Sequence, residues 1–369
     1  MKINKFLGVR NTSPDRSLPD NSLSAALNVD IDDEGIITQR NGYALSKAVS
    51  NLTAAYTTQD QVTYVVSGGV LSRVDDSLNL VPIVASTATA FADFSKNLFT
   101  NDGLRIQADT ASNLFIPNAS GTGPELYSAP GNWVEGTYSA VICYRNTVTG
   151  LEGASSASNS ITIAANSRVV VNPPPVFAGF TAIVYMTAAN GSVYYDTEGT
   201  QISPDQLIAD SFPLDAPVLA FYDSALYAAL PQANGTSLLV WSLPFKFHIF
   251  DLTTNYAVVP GEIRAMKPVD GGLLIATDHA LFAYDGANLI QLANYGVPKG
   301  RSLVQTPDKK VKIFSNRGVC EALPFINLTE TKALFAPGKQ VSSALVDQNG
   351  IQKMVVLSDG SGTAFNIRT

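Results

Sequence analysis

The sequence predicts an all-β protein: a β-propeller of about six blades, interrupted by an immunoglobulin- or fibronectin III-like β-sandwich. Short apolar runs alternate with Gly- and Asp-containing turns and recur about every 40 residues, the spacing of a blade. Charged residues make up only 15% of the chain and hydrophobic residues 46%, with Thr, Ser, Val, Gly, Asn and Pro plentiful, a composition that suits half-buried pleated surfaces. No stretch sustains a 3.6-residue apolar period with the caps a long helix needs; the Ala-rich residues 22–27 predict one helical turn at most.

Residues 1–50 read as a polar lead-in ending in one hairpin, whose arms at 28–31 and 36–40 flank the turn Asp32-Asp33-Glu34-Gly35. Gly35 is the residue there that takes positive φ without strain. Asp30, Asp32, Glu34 and Gly35 have the spacing of the first half of a calcium loop, but Asn41 stands where a bidentate Glu is needed, so no metal is assigned.

Residues 51–125 carry the first part of the propeller. Its first repeat has strands at 62–66 and 70–74 around Ser67-Gly68-Gly69, then a strand at 78–83; the second, at 91–116, turns at Asn101-Asp102-Gly103. Residues 126–203 change texture. Alternating strands at 136–145, 161–163, 168–171 and 180–186, a Gly150-Leu151-Glu152-Gly153-Ala154-Ser155 loop and the Pro173-Pro174-Pro175 turn predict a small β-sandwich.

Residues 204–369 resume the propeller. Repeats lie at 218–241 and 271–292, where Asp285-Gly286 signals a turn, then at 311–323 and 345–369. Setting the lead-in and insert aside leaves about 240 residues, or six repeats of about 40. A propeller usually closes its ring with strands from both chain ends, which predicts that the lead-in completes the blade containing Ile367.

Little in the sequence carries reaction chemistry. His279 sits in a turn, and His248, alternating with aromatics in Phe245-Lys246-Phe247-His248-Ile249-Phe250, reads as the solvent face of a strand. Ser358-Asp359-Gly360-Ser361-Gly362-Thr363 approaches the Asp-box of propeller glycosidases, but its spacing fails and the Trp is missing. The nucleophile elbow, phosphate loop, dinucleotide fingerprint and Cys-x-x-Cys pair are absent from the sequence. Paired acids such as Asp75-Asp76 fall in turns, where Asp serves the backbone. We therefore assign no catalytic residue, no metal and no cofactor, and expect a protein that is not an enzyme.

Cys143 and Cys320, inside predicted strands, read as buried thiols. The first residues lack the apolar core of a signal peptide, and no run approaches membrane-spanning length, so a soluble protein made in a cytoplasm without a membrane anchor is expected. The net charge of −7 argues against gripping nucleic acid by phosphate neutralisation, while leaving open a wall past which DNA slides. Tyr194, Tyr195, Phe221, Tyr222, Trp133 and Trp241 are candidates for a glycan platform or for packing.

The most specific pattern is the lead-in. Phe6-Leu7-Gly8-Val9-Arg10-Asn11 is followed by Asn28-Val29-Asp30-Ile31, then Gly35-Ile36-Ile37-Thr38-Gln39-Arg40-Asn41-Gly42-Tyr43. This resembles the opening of tailed-phage virion proteins, with Asn41 where Pro is usual. In the podovirus-type tail nozzle, or tail tubular protein B, such an opening precedes a β-propeller. The motif residues are Asn28, Asp30, Gly35, Arg40, Gly42 and Tyr43. The insert likewise resembles fibronectin III-like modules of phage tails, which carry a Gly-x-Glu…Ser loop and an Ile-Tyr-Arg-Thr strand; here Ile183-Val184-Tyr185-Met186-Thr187 has Met in place of Arg.

The resemblance implies a structural virion protein. Typically six copies would form a ring continuing the DNA channel below the portal and the head-to-tail adaptor, retaining and conducting the viral genome during ejection without sequence-specific binding, and docking tail fibre or tail needle proteins. The alternative is a receptor- or glycan-binding propeller of a tail fibre or baseplate.

Overall fold

The computed structural model of the chain describes residues 29–31, 37–39, 47–118, 123–207, 209–306, 308, 310–322, 324–329, 340–348, 351–358 and 365–368. β1 (Val29–Ile31) and β2 (Ile37–Gln39) pair antiparallel, with Asp30 opposite Thr38. The turn between them and the helical turn expected at 22–27 lie outside the described residues.

Two four-stranded antiparallel meanders follow. The first is β3 (Leu52–Thr57), β4 (Thr63–Ser67), β5 (Val70–Val74) and β6 (Leu80–Ala85), and the second is β7 (Phe91–Phe94), β8 (Asn97–Thr100), β9 (Leu104–Gln107) and β10 (Thr110–Asn113). The chain then builds two sheets of another kind. β11 (Leu126–Pro130) pairs with β14 (Ser167–Val171), while β13 (Asn159–Ile163), β12 (Gly136–Asn146), β15 (Phe180–Thr187) and β16 (Tyr194–Tyr195) form the other sheet in that order. One turn of helix, α1 (Pro204–Leu207), and the short β17 (Asp210–Ser211) lead onward.

The third meander is β18 (Val218–Tyr222), β19 (Ala225–Pro231), β20 (Thr236–Leu243) and β21 (Lys246–Phe250), with β17 added to β21 and β22 (Tyr256–Pro260) to β20. The fourth is β23 (Ile263–Val269), β24 (Gly272–Thr277), β25 (Leu281–Tyr284) and β26 (Leu289–Ala293). After β27 (Lys299–Arg301) comes the fifth, β28 (Leu303–Gln305), β29 (Val311–Ser315), β30 (Gly318–Glu321) and β31 (Ile326–Asn327). In the sixth sheet, β32 (Gln340–Gln348), β33 (Ile351–Ser358) and β34 (Phe365–Arg368) are joined by β27. The fold is of the β-propeller class with an inserted β-sandwich, and its blades are the sheets the 40-residue period predicts.

Packing follows from the sequence of each meander. The middle strands are buried along their length, as in Leu273, Leu274, Ile275 and Ala276 of β24, so each sheet needs an apolar layer on both faces. Neighbouring sheets supply it. The chain divides into two compact units, one of residues 1–48, 231–237 and 259–369, the other of 49–230 and 238–258.

In the second unit, Tyr64, Val66 and Leu71 of the first meander pack with Phe91, Leu98 and Ile106 of the next. The other face of that next sheet, through Ala92 and Phe99, packs with Leu219, Phe221, Leu226 and Phe250 of the third. The rings of Phe94 and Phe221 stack at 3.9 Å, with Phe247 edge-on to Phe221 at 5.2 Å. The second and third blades therefore pack directly although the whole insert separates them in sequence. In the first unit, Leu274, Ala276 and Leu281 pack with Val311, Ile313 and Cys320, and Phe314 and Val319 pack with Val341, Met354 and Val356.

A hydroxyl-bearing residue closes the middle hairpin of several blades. Thr100 Oγ1 accepts from Leu104 N at 3.1 Å, Thr277 Oγ1 accepts from Ala280 N at 3.0 Å, and Ser315 Oγ donates to Gly318 O at 2.7 Å. Gly296 lies against the Thr277 turn so closely that a Cβ there would stand 2.2 Å from Thr277 O and 2.3 Å from the carbonyl carbon of Asp278.

Of the lead-in strand expected to complete the sheet of Ile367, all but residues 29–31, 37–39 and 47–50 lies outside the described residues. Among the described residues, the place beside β32 is taken by β27, which runs parallel to it with Lys299 opposite Gln340 and Arg301 opposite Ser342, while β1 and β2 pair with one another. Gly300 permits this approach: its φ is +98°, and a Cβ there would lie 2.2 Å from Val341 O.

Candidate functional site

Of the lead-in motif, Asp30 lies in β1, whereas Asn28, Gly35, Arg40, Gly42 and Tyr43 lie outside the described residues. The other residues singled out from the sequence scatter over several elements. His279 is an exposed turn residue whose Nδ1 is 2.8 Å from Asp278 Oδ1. Cys143 and Cys320 are buried thiols outside any disulfide, and burial followed by the Glu152 charge pushes the Cys143 thiol up to about 12. Asp75 and Asp285 are turn builders: Asp75 Oδ1 accepts from Ser77 N and Asn79 N, and Asp285 Oδ1 from Ala287 N and Asn288 N. Those backbone bonds hold both carboxyls below the usual range.

The aromatic candidates divide. Phe221 is core, and Trp241 stacks on Tyr227 at 5.4 Å. Tyr194 Oη shares a hydrogen bond with Ser158 Oγ at 2.8 Å. Trp133 and Tyr195 are exposed, with the Trp133 ring 5.3 Å from that of Tyr138.

The densest polar arrangement sits where the insert meets the third blade, and it gathers residues from four elements. Glu152 belongs to the loop after β12 and bridges back to Arg145 near the end of that strand. Its Oε1 accepts from Arg145 Nε at 2.7 Å and lies 2.5 Å from Arg145 Nη2. Its Oε2 accepts from Tyr185 Oη of β15 and from Gln206 Nε2 of α1, both at 2.9 Å. Gln206 is further fixed because its carbonyl accepts from Ser155 N at 2.8 Å.

The Glu152 side chain is 15% exposed, so four donors replace most of the water it lost, the condition for keeping a charge buried. The Arg145 guanidinium is held more firmly protonated by its hydrogen bond to Glu152. The Tyr185 phenol is pushed up by burial first and by Glu152 next. With every lone-pair direction engaged, this carboxylate is a clamp and is poorly placed to act as a general base.

His248 completes the junction and corrects the sequence reading of a solvent-facing residue. Only 7% exposed, it points its Nε2 at the carbonyl of Glu152, 3.0 Å away. A carbonyl accepts only, so Nε2 carries the proton and donates. Burial pulls the imidazole down to about 4, against the upward effect of that hydrogen bond, with Lys246 lowering it further. Lys246, two residues earlier, pairs with Asp205 of α1 at 2.5 Å.

The register explains the error. Strict alternation from Phe247 places His248 on the opposite face, but that face of β21 is covered by the insert and not by water. Glu152 and Tyr185 belong to the two patterns that suggested a fibronectin-like module. Nothing in the sequence pointed Gln206 or His248 to Glu152, because that partner is 54 and 96 residues away.

Among the described residues, no group of three or more His, Cys, Asp or Glu side chains is placed to hold a metal ion, and no helix is long and apolar enough to cross a membrane.

No family profile matches the chain, and no curated protein matches it. Solved structures align over most of its length at low identity. The Saccharomyces cerevisiae protein Sqt1 is 12% identical over 88% of this chain and 97% of its own, with a TM-score of 0.33. YCF48 bound to D1 peptide is 9% identical over 86% and 82%, with a TM-score of 0.30. Puromycin hydrolase is 12% identical over 87% and 54%, with a TM-score of 0.32. The chain spans 61% of the extracellular domain of BT4673 from B. thetaiotaomicron, at 11% identity and a TM-score of 0.26. Likeness at this level bears on neither substrate nor partner.

Proposed function

We propose that this chain is a structural virion protein, the nozzle ring of a short phage tail. It would continue the DNA channel below the portal and adaptor and carry no enzymatic activity. The observation that carries the reading is the lead-in, with Asn28, Asp30, Gly35, Arg40, Gly42 and Tyr43 at the spacing of tailed-phage openings and a chain of blade repeats behind it. Three physical features support it. Blades packed face to face bury both faces of their middle strands and leave only short strands at the edges, which suits a part that bears internal pressure. The insert is clamped by a carboxylate with four donors, which makes it a stiff arm for docking fibres or a needle. A net charge of −7 discourages phosphate from sticking to a channel wall.

The partners of this reading are further copies of the chain, six in the usual ring, the head-to-tail adaptor, tail fibre or needle proteins, and passing DNA. Its location is the virion tail after synthesis in the host cytoplasm. The test is the mass of the purified protein with and without a co-expressed adaptor, followed by electron microscopy of large species. A closed ring with a hole wide enough for duplex DNA is the expected outcome, and a monomer in both conditions counts against it.

A second reading, a receptor- or glycan-binding propeller module, is favoured by Trp133, exposed on its inserted sandwich and packed beside Tyr138. Glycan binding that is lost on Trp133→Ala without loss of fold would prefer it.

A further inference from the structure

We infer that the junction between the inserted sandwich and the third blade is an acid-released joint, which holds the insert in place at neutral pH and frees it as His248 takes up a proton. This goes beyond the nozzle reading and stands whether or not the protein belongs to a tail. The insert and the blade each have an interior of their own. Val141, Cys143, Tyr185 and Ile202 form one apolar cluster of the insert, and Tyr138, Ile163 and Val169 form another. The third blade fills its interior with Leu219, Phe221, Leu226, Val240 and Phe250, packed against the second. Parting insert from blade leaves these clusters whole, so the joint can open without unfolding either part.

The joint itself is polar. His248 of β21 is buried and donates from Nε2 to Glu152 O of the insert at 3.0 Å. Two residues earlier on the same strand, Lys246 reaches Asp205 of α1 at 2.5 Å, and Gln206 of that helical turn donates to Glu152 Oε2 at 2.9 Å. The charged and titratable groups of the elements that meet here are Glu152 of the loop after β12, Arg145 of β12, Tyr185 of β15, Asp205 of α1, Asp210 of β17 and Lys246 of β21.

Each carboxylate among them is already engaged. Glu152 holds Arg145, Tyr185 and Gln206, Asp205 holds Lys246, and Asp210 Oδ2 accepts from Leu252 N at 3.2 Å. A protonated His248 therefore has Lys246 close along its strand and no carboxylate to itself, and it gains water only when the insert moves off it. Burial lowers the imidazole from 6.5 to about 4 in the closed joint. The closed joint is thus fully favoured above pH 6.5 and loses ground as pH falls toward 4, by up to about tenfold per pH unit.

The experiment is single-molecule energy transfer on the full chain from about pH 7.5 to about pH 4.5. Dyes on Val148→Cys in the insert and Val258→Cys on β22 of the third blade follow the distance between the two parts; both sites are exposed, and the native Cys143 and Cys320 are buried. This protein is compared with the same pair carrying His248→Gln, which keeps a donor and cannot titrate, with His248→Leu in case the glutamine variant fails to fold, and with Asp205→Asn. A second population of different transfer efficiency is expected to grow as pH falls, the ratio of released to held molecules rising about 70-fold over this range, while far-UV circular dichroism stays that of the folded chain. Asp205→Asn keeps that slope, and His248→Gln loses it. A ratio that does not change with pH, a slope that survives in folded His248→Gln or disappears in Asp205→Asn, or a slope that comes with loss of the folded spectrum overturns the inference.

Discussion

Replacing Glu152 separates the clamp from a bystander ion pair. In Glu152→Gln the side chain keeps its shape but has one acceptor oxygen and gains an NH2 group. If the amide oxygen faces Arg145, the NH2 confronts Gln206 Nε2, donor against donor, in a buried place. If it faces Tyr185 and Gln206, the NH2 confronts Arg145, whose side chain is 41% exposed and can turn to water. The second arrangement costs less. The loss is then one partly screened charge-assisted pair, about 1–2 kcal/mol.

Glu152→Ala has no such escape. It strands Tyr185 Oη and Gln206 Nε2 without an acceptor and opens a void, so about 3–5 kcal/mol is expected. Urea unfolding of the full chain with far-UV detection measures both, and in a unit of this size the alanine variant melts about 6–20 °C lower. The reasoning is refuted if the alanine variant lies within about 0.5 kcal/mol of wild type, or if glutamine costs as much as alanine.

Other expectations rest on different parts of the fold. His248, lowered from 6.5 to about 4 by burial, stays neutral in the folded protein while the unfolded chain takes up a proton. Its contribution is complete above pH 6.5 and is lost as pH falls toward 4, by about 3 kcal/mol in all. A pH series of unfolding free energies on wild type and His248→Gln should show that slope in the wild type alone. Gly296→Ala places its Cβ 2.2 Å from a backbone oxygen and should cost about 3 kcal/mol or more, since backbone must move; a neutral thermal melt would contradict the packing described for the Thr277 turn. Lys312, nearly buried, pairs with Glu321 of the neighbouring strand, with Lys310 at 3.6 Å from the same carboxylate. Lys312→Met should cost about 2–3 kcal/mol, and adding Glu321→Leu should recover part of it, because a buried charge left with only the more distant, exposed Lys310 disappears. Deletion of residues 1–45 is expected to give protein that misfolds or fails to assemble; a deletion that folds and still binds the adaptor would remove the lead-in from the proposed function.

The blades were legible in the sequence because a meander is a local object. Leu273 to Ala276 and Ala280 to Tyr284 are apolar runs split by Thr277-Asp278-His279, and a hairpin needs no more than its own two strands and turn to be specified. The same holds for the Asp75 and Asp285 turns, whose hydrogen bonds reach no further than four residues.

Tertiary structure alone decided what covers each strand face and edge. His248 looked solvent-facing because period-two alternation gives a side of the sheet without saying whether water or another element lies there. The place beside β32 went to β27 because Gly300 lets a parallel strand approach Val341, a contact between residues 41 apart that no local pattern encodes. Glu152 was visible as a motif residue, but its meaning as a clamp came from Tyr185, Gln206 and His248, which folding brings to it from 33, 54 and 96 residues away. Local backbone preference fixes turns and strands; burial and hydrogen-bond satisfaction, which are properties of the whole packed chain, fix which residues meet.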